Sequence, residues 1–69
     1  MPVQHTKAFG IYHWDTFDNV TLLVEESDSL PEAEAIVATK YGGRIGPHGA
    51  DRVDVVNQAG TVVAQYTVA

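Results

Sequence analysis

The chain has no cysteine, so disulfide staples and thiolate metal sites are excluded. Cations are scarce: four Lys plus Arg stand against nine Asp plus Glu, a formal charge of −5. That balance opposes binding to nucleic-acid phosphates, which need neutralising cations, and opposes anchoring to anionic lipid. No stretch approaches the roughly 20 apolar residues of a spanning helix, and Met1 to Thr6 carries no apolar core of a signal peptide. A cytoplasmic protein without membrane contact is the expectation. Internal repeats, low-complexity tracts and an interdomain linker are also missing. Sixty-nine residues make one domain. A chain so short buries only about 60% of its unfolded surface, so it depends on an efficient core, self-association or a partner.

What the chain does have is a hydrophobic content of 45%, which argues for a folded state. Four of its six aromatic side chains cluster near the start: Phe9, Tyr12, Trp14 and Phe17. Met1 to Thr6 reads as a frayed lead-in, with Pro2 unsuited to a central strand. Lys7 to Trp14 is rich in β-formers. A turn-forming stretch, Asp15-Thr16-Phe17-Asp18-Asn19, leads to Val20 to Glu25, where Val20, Leu22 and Val24 alternate with Thr21, Leu23 and Glu25. The two runs predict a hairpin.

Ser29-Leu30-Pro31-Glu32 fits a capping box, Ser29 accepting from the third helical amide and Glu32 reaching back. Pro31 is tolerated in a first turn, and Glu32 and Glu34 suit the positive end of the helix dipole. Leu30, Ala33, Ile36, Val37 and Tyr41 form an apolar stripe at helical spacing. With Lys40 in the last turn and Gly42-Gly43 as a left-handed stop, the helix is predicted over Leu30 to Tyr41. After a loop holding Gly46, Pro47 and Gly49, strands are predicted over Asp51 to Asn57 and Thr61 to Val68, joined by a turn at Gly60.

The expected fold is therefore α+β, β-β-α-β-β: a four-stranded antiparallel sheet with one helix on one face. Val20, Leu22, Val24, Val53, Val55, Val62, Ala64 and Tyr66, with Phe9 and Ile11, are expected under the helix. Tyr12 and Trp14 are then left on the open face with Leu23, Val56 and Val63, more apolar surface than a solvated face needs.

Residues capable of chemistry do not form a motif. His13 and Asp15, two apart on a strand, share a face at about 6.6 Å, but the only further imidazoles are His5 and His48, and no metal-ligand spacing is present. The carboxylate pairs Asp15/Asp18, Glu25/Glu26 and Glu32/Glu34 are explained by turn chemistry, solvation and capping. Gly42 to Gly49 follows a helix, whereas a phosphate loop precedes one. An enzyme, a metal and a cofactor are not expected. An aromatic strand on an open sheet is a stacking platform for single-stranded RNA when cations flank it; here only Lys7 and Arg52 lie in or beside strands.

The remaining expectation is a surface that binds protein. Tyr12 and Trp14 are suitable anchors, flanked by Leu23 and Val63. Asp15, Asp18, Glu25 and Glu26, joined by Asp28, Glu32 and Glu34, are expected to gather into an acidic rim where the second strand enters the helix, with Arg44 in a long loop. The partner is another protein or a second copy of the chain, the open face forming a two-fold interface.

Two strands, a helix opening Ser29-Leu30-Pro31-Glu32-Ala33, and a terminal hairpin from Val53 to Val68 resemble the layout of very small phage and mobile-element proteins, including some anti-CRISPR proteins. The resemblance covers element order over most of the chain. It implies a small inhibitor that occupies a surface of a larger partner, and it carries no residue-level assignment.

Overall fold

The computed structural model describes residues 3–69; Met1 and Pro2, the start of the expected lead-in and its proline, lie outside the described residues. The chain runs β1 (Phe9–Asp15), β2 (Val20–Ser27), α1 (Leu30–Tyr41), a 3-10 turn (Gly42–Arg44), β3 (Asp51–Asn57) and β4 (Val62–Val68). All pairings are antiparallel and the strand order is β2-β1-β3-β4. The aromatic strand β1 is thus central, and β2 and β4 are the edges. The layout is the α+β, β-β-α-β-β arrangement that the periodicities predict.

Local chemistry sets the helix. Ser29 accepts the Glu32 amide at 3.2 Å, as a capping serine should. The return half of the capping box is different. The Glu32 carboxylate lies 2.8 Å from the hydroxyl of fully buried Ser27, and that hydroxyl accepts the Ser29 amide at 3.3 Å. Ser27 therefore relays a contact that Glu32 was expected to make directly. The far end also departs from expectation. Gly42 is right-handed (φ −49°, ψ −45°), and the only glycine with positive φ is Gly60. The helix tightens into the 3-10 turn instead of meeting a left-handed stop, and Ile45 donates to the Tyr41 carbonyl at 3.1 Å.

Ala33, Val37 and Tyr41 are the buried face of α1, packed with Ile11, Val53, Val55 and Val68 of the sheet. Phe9, Val24, Leu30, Ile36, Ala64 and Tyr66 border this core, partly buried. Three residues expected beneath the helix are not there: Val20, Leu22 and Val62 are about half exposed. Two bulges and the edge position of β2 account for this. In β2, Leu23 pairs with Tyr12 and Glu25 with Ile11, so Val24 is an extra residue. Its insertion reverses the alternation beyond it, turning Glu25 to the helix side and Glu26 to the open side, opposite Gly10. Val20 and Leu22 do share the helix side with His13 and Asp15, but they lie at the hairpin end of an edge strand whose other end, at Val24 and Glu25, is the part that meets the helix. In β4, Val56 pairs with Val62 and Val55 with Ala64, leaving Val63 as the extra residue. Val62 consequently joins the open face with Val56.

Strand ends shift for similarly local reasons. β1 begins at Phe9, two residues after its expected start, because the Lys7 amide is given to Glu26 and its carbonyl to Gln58. β2 runs two residues further than expected, to Ser27 opposite Phe9. No helix among the described residues is long and apolar enough to cross a membrane.

Candidate binding surfaces

The open face is divided into two ends by what covers it. At one end, Trp14 stands opposite Arg52 on β3, whose guanidinium lies 4.5 Å from the centroid of the indole ring. Arg52 Nε is also 3.4 Å from Asp54 Oδ1, and Gln65 donates to the same carboxylate oxygen at 3.1 Å. The indole N–H donates to Asn19 Oδ1 at 3.3 Å; Asn19 occupies the left-handed region at φ 54°. Trp14 is thus half-buried, its face taken by an arginine of its own chain.

At the other end, residues 4–7 lie across the sheet. His5 is 3% exposed. Its ring sits directly on Gly10, where an added Cβ would meet Nδ1 at 2.4 Å. Tyr12 Oη accepts the amides of Gln4 (3.0 Å) and His5 (3.3 Å) and lies 2.7 Å from His5 Nδ1. Glu26 accepts the amides of Thr6 and Lys7 and the Thr6 hydroxyl. These amides, Lys7 first and Thr6 next, hold the Glu26 carboxyl below the usual carboxylate range. Gln58, from the β3–β4 turn, donates to the carbonyls of His5 and Lys7. The expected frayed lead-in is, over these residues, a strap that covers Tyr12.

A third surface lies at the β1–β2 turn. Asp15 Oδ1 accepts the amides of Phe17 (2.9 Å) and Asp18 (3.2 Å), an Asx-type turn that projects Phe17 into solvent, 94% exposed. Leu22 (57%) and Val20 (45%) extend this apolar corner along the helix side of β2. Trp14 and Leu23 lie on the opposite side of the same hairpin, both half-buried.

Behind the corner is a hydrogen-bonded chain absent from the sequence reading. His13 Nε2 is 3.0 Å from Asp51 Oδ2, and His13 Nδ1 is 3.0 Å from Tyr41 Oη. The other oxygen of Asp51 accepts the amide and hydroxyl of Thr16, at 3.1 and 2.9 Å. The His13 hydrogen bond, then the two from Thr16, hold the Asp51 carboxyl at about 2. Burial pushes the Tyr41 phenol up, against a smaller opposing effect of Arg44. An ionised Asp51 accepts from Nε2–H, which leaves the neutral ring's Nδ1 to accept from the Tyr41 hydroxyl. One side chain from each of β1, α1 and β3 is thereby tied together at the root of the hairpin.

The remaining predicted residues separate. Asp15 and Asp18 lie at the turn, while Glu26, Asp28 and Glu32 lie at the opposite end of β2. Six strand residues, Val20 to Glu25, spanning about 20 Å, divide Asp18 from Glu26, so the expected single acidic rim does not form. The reason is that β2 enters the helix from the end away from its hairpin. Glu25 faces Lys40 at 4.0 Å. Val63 is 38% exposed at its bulge. Arg44 donates from Nε (2.9 Å) and Nη2 (2.7 Å) to the Ala69 carbonyl and lies 5.6 Å from the Tyr41 ring centroid. Among the described residues no group of three or more His, Asp or Glu is placed to hold a metal ion; the His13/Asp15 pair is split between Asp51 and the turn amides.

Gly10 is the one sequence signal that points to the strap. A glycine between aromatic residues in a central strand marks a close approach of other atoms. Phe17 had its signal in the turn, where nothing nearby can cover it. Compared with family models, curated proteins and solved structures, the chain gives no match.

Proposed function

We propose that the chain is a non-enzymatic protein-binding module that acts in the cytoplasm as a small inhibitor, occupying a surface of a larger partner. The observation that carries this reading is the apolar corner of Phe17, Leu22 and Val20. These side chains are large and exposed, outside the buried core, and they stand at a hairpin whose turn is braced by Asp15 and by the His13–Asp51–Tyr41 chain. Apolar surface of this kind on a rigid element suits burial in a partner's groove. Trp14 and Leu23, on the other side of the hairpin, would contact the groove's second wall, and Asp15 and Asp18 would meet cations at its rim. Phage-type inhibitors of similar layout support the inhibitor reading by resemblance.

Affinity capture from a host lysate tests it with three baits: the native chain, Trp14→Ala, and the double variant Phe17→Ser, Leu22→Thr. The expected result is a partner retained by the native chain and lost from the double variant. Equal retention by all three baits would overturn the hairpin as the contact surface.

The alternative, a homodimer through the open face, is favoured by the exposure of Val62 and Val63 beside the free edge of β4. Sedimentation at high micromolar concentration separates the readings, since a monomer there removes the dimer as the reason for that exposed surface.

A further inference from the structure

The contacts made by residues 4–7 are unusual in kind. Four consecutive backbone amides are accepted by side chains of the sheet: Gln4 and His5 by Tyr12, Thr6 and Lys7 by Glu26. Two carbonyls, of His5 and Lys7, accept from Gln58. Apart from the Thr6 hydroxyl, the only side chain held is the His5 ring, on the bare backbone of Gly10. Side chains from β1, β2 and the β3–β4 turn therefore recognise the main chain of an extended segment, with one place for a flat ring. Main-chain recognition of this kind gives affinity with little dependence on sequence, and the ring position supplies selectivity.

The fit is incomplete in one respect. Tyr12 Oη already accepts two amides, so its own proton goes to His5 Nδ1, and Nε2 carries the ring's hydrogen. That atom is buried and has no hydrogen-bond partner among the described residues. A buried unpaired donor weakens docking, which leaves the strap closer to release than the count of its hydrogen bonds suggests. Glu26 on β2 is the charged neighbour of the ring; Tyr12 contacts the ring itself and Gln58 the His5 carbonyl.

We propose that this seat, built from Gly10, Tyr12, Glu26 and Gln58, is a peptide-binding site, held closed by the chain's own residues 4–7. Its ligand is an extended segment of a partner protein that presents consecutive free amides and a planar side chain to Gly10. This inference rests on the protein-binding reading but uses the end of the open face away from the hairpin. The tethered strap competes at an effective concentration of about millimolar, so a partner must either bind more tightly or arrive while the strap is open.

The isotope-labelled 69-residue chain provides the test. Amide exchange at Gln4, His5, Thr6 and Lys7 should be slowed by about tenfold or more in the native chain. In His5→Ala that protection should vanish while the amides of β1 and β3 keep theirs. A hexapeptide copying residues 3–8, added to His5→Ala at millimolar concentration, should shift the signals of Tyr12, Glu26 and the Gln58 side chain. The same peptide with alanine in place of its histidine should have a weaker effect. If His5→Ala does not fold, Thr6→Pro takes its place, because it deletes the exposed strap's Thr6 amide that Glu26 accepts and leaves every residue of the seat intact. Unchanged strap protection in the variant, or no shift of Tyr12 by the hexapeptide, overturns the proposal. Neither result bears on the hairpin, which is probed separately by Phe17→Ser and Leu22→Thr.

Discussion

His13 and Asp51 are 38 positions apart in the chain, and their side chains meet at 3.0 Å. Tyr41 closes the other side of the imidazole, so the end of the helix, the central strand and the start of β3 share one polar joint beside the core.

The joint makes stability depend on pH in the acid range. The Asp51 carboxyl is lowered from 3.8 to about 2 in the fold, and Glu26 is also lowered, from 4.5. A carboxyl depressed on folding contributes stability that is complete above its unfolded value and is lost as pH falls towards its folded value. The melting temperature should therefore fall as the pH is taken from about 4.5 down to 2. Asp51→Asn should melt lower at neutral pH and show a shallower decline across that window. Thermal melts of both proteins between pH 2 and 7 check this, and parallel curves would remove Asp51 as the cause.

Tyr41→Phe deletes the hydroxyl that faces His13 Nδ1 and keeps the ring in the core. The expected loss is about 0.5–1.5 kcal/mol, the net worth of one hydrogen bond. Chemical denaturation measures it, and the nitrogen chemical shifts of His13 should report a changed tautomer balance. At alkaline pH the sign reverses relative to the carboxylates. Burial raises the Tyr41 phenol, so the fold favours its neutral form and loses stability as pH rises past 10.

Two glycines should respond in opposite directions to alanine. Gly42 has right-handed helical dihedrals and open space around an added Cβ. Gly42→Ala should stabilise by about 0.4–1 kcal/mol, chiefly by restricting the unfolded chain. At Gly49 the added carbon would lie 2.5 Å from the Val68 backbone nitrogen and 2.6 Å from its carbonyl carbon. Backbone on the neighbouring strand cannot rotate away, and Gly49→Ala should cost about 1–3 kcal/mol. Urea midpoints of the two variants settle both signs.

Leu22 and Ile11 separate surface from core among residues of similar hydrophobicity. Leu22→Thr, on the exposed corner, should change stability by no more than about 0.5 kcal/mol. Ile11→Ala, in the fully buried centre, should cost about 2–5 kcal/mol. A large loss in Leu22→Thr would show that the corner supports the fold and would undercut its assignment as a contact surface.

Much of the architecture was legible because its causes are local. Ser29, Pro31 and the stripe through Ala33, Val37 and Tyr41 define α1 within a dozen residues, and the helix spans the range they predict. Asp51 to Asn57 was readable for the same reason, as were the two hairpins from their turn residues. The candidate site was less so. Phe17 stood in the sequence as an aromatic without a strand, but Leu22 and Val20 carried an alternation that assigns them to a core. The strap had one marker, Gly10, and its partners Glu26 and Gln58 are distant in sequence and ordinary in type.

Composition and spacing determined on their own the element order, the helix limits, the single layer of helix over sheet, and the exclusion of disulfides and a basic surface. These follow from backbone preferences, side-chain period and charge, which act over a few residues or over the whole chain at once. Tertiary structure alone decided the strand order β2-β1-β3-β4, the bulges at Val24 and Val63, the meeting of His13 with Asp51, and the covering of Tyr12 and Trp14 by the chain's own His5 and Arg52. Each of those depends on register between strands far apart in sequence. One inserted residue exchanges the faces of everything beyond it, and no local preference of the residues concerned distinguishes the two registers.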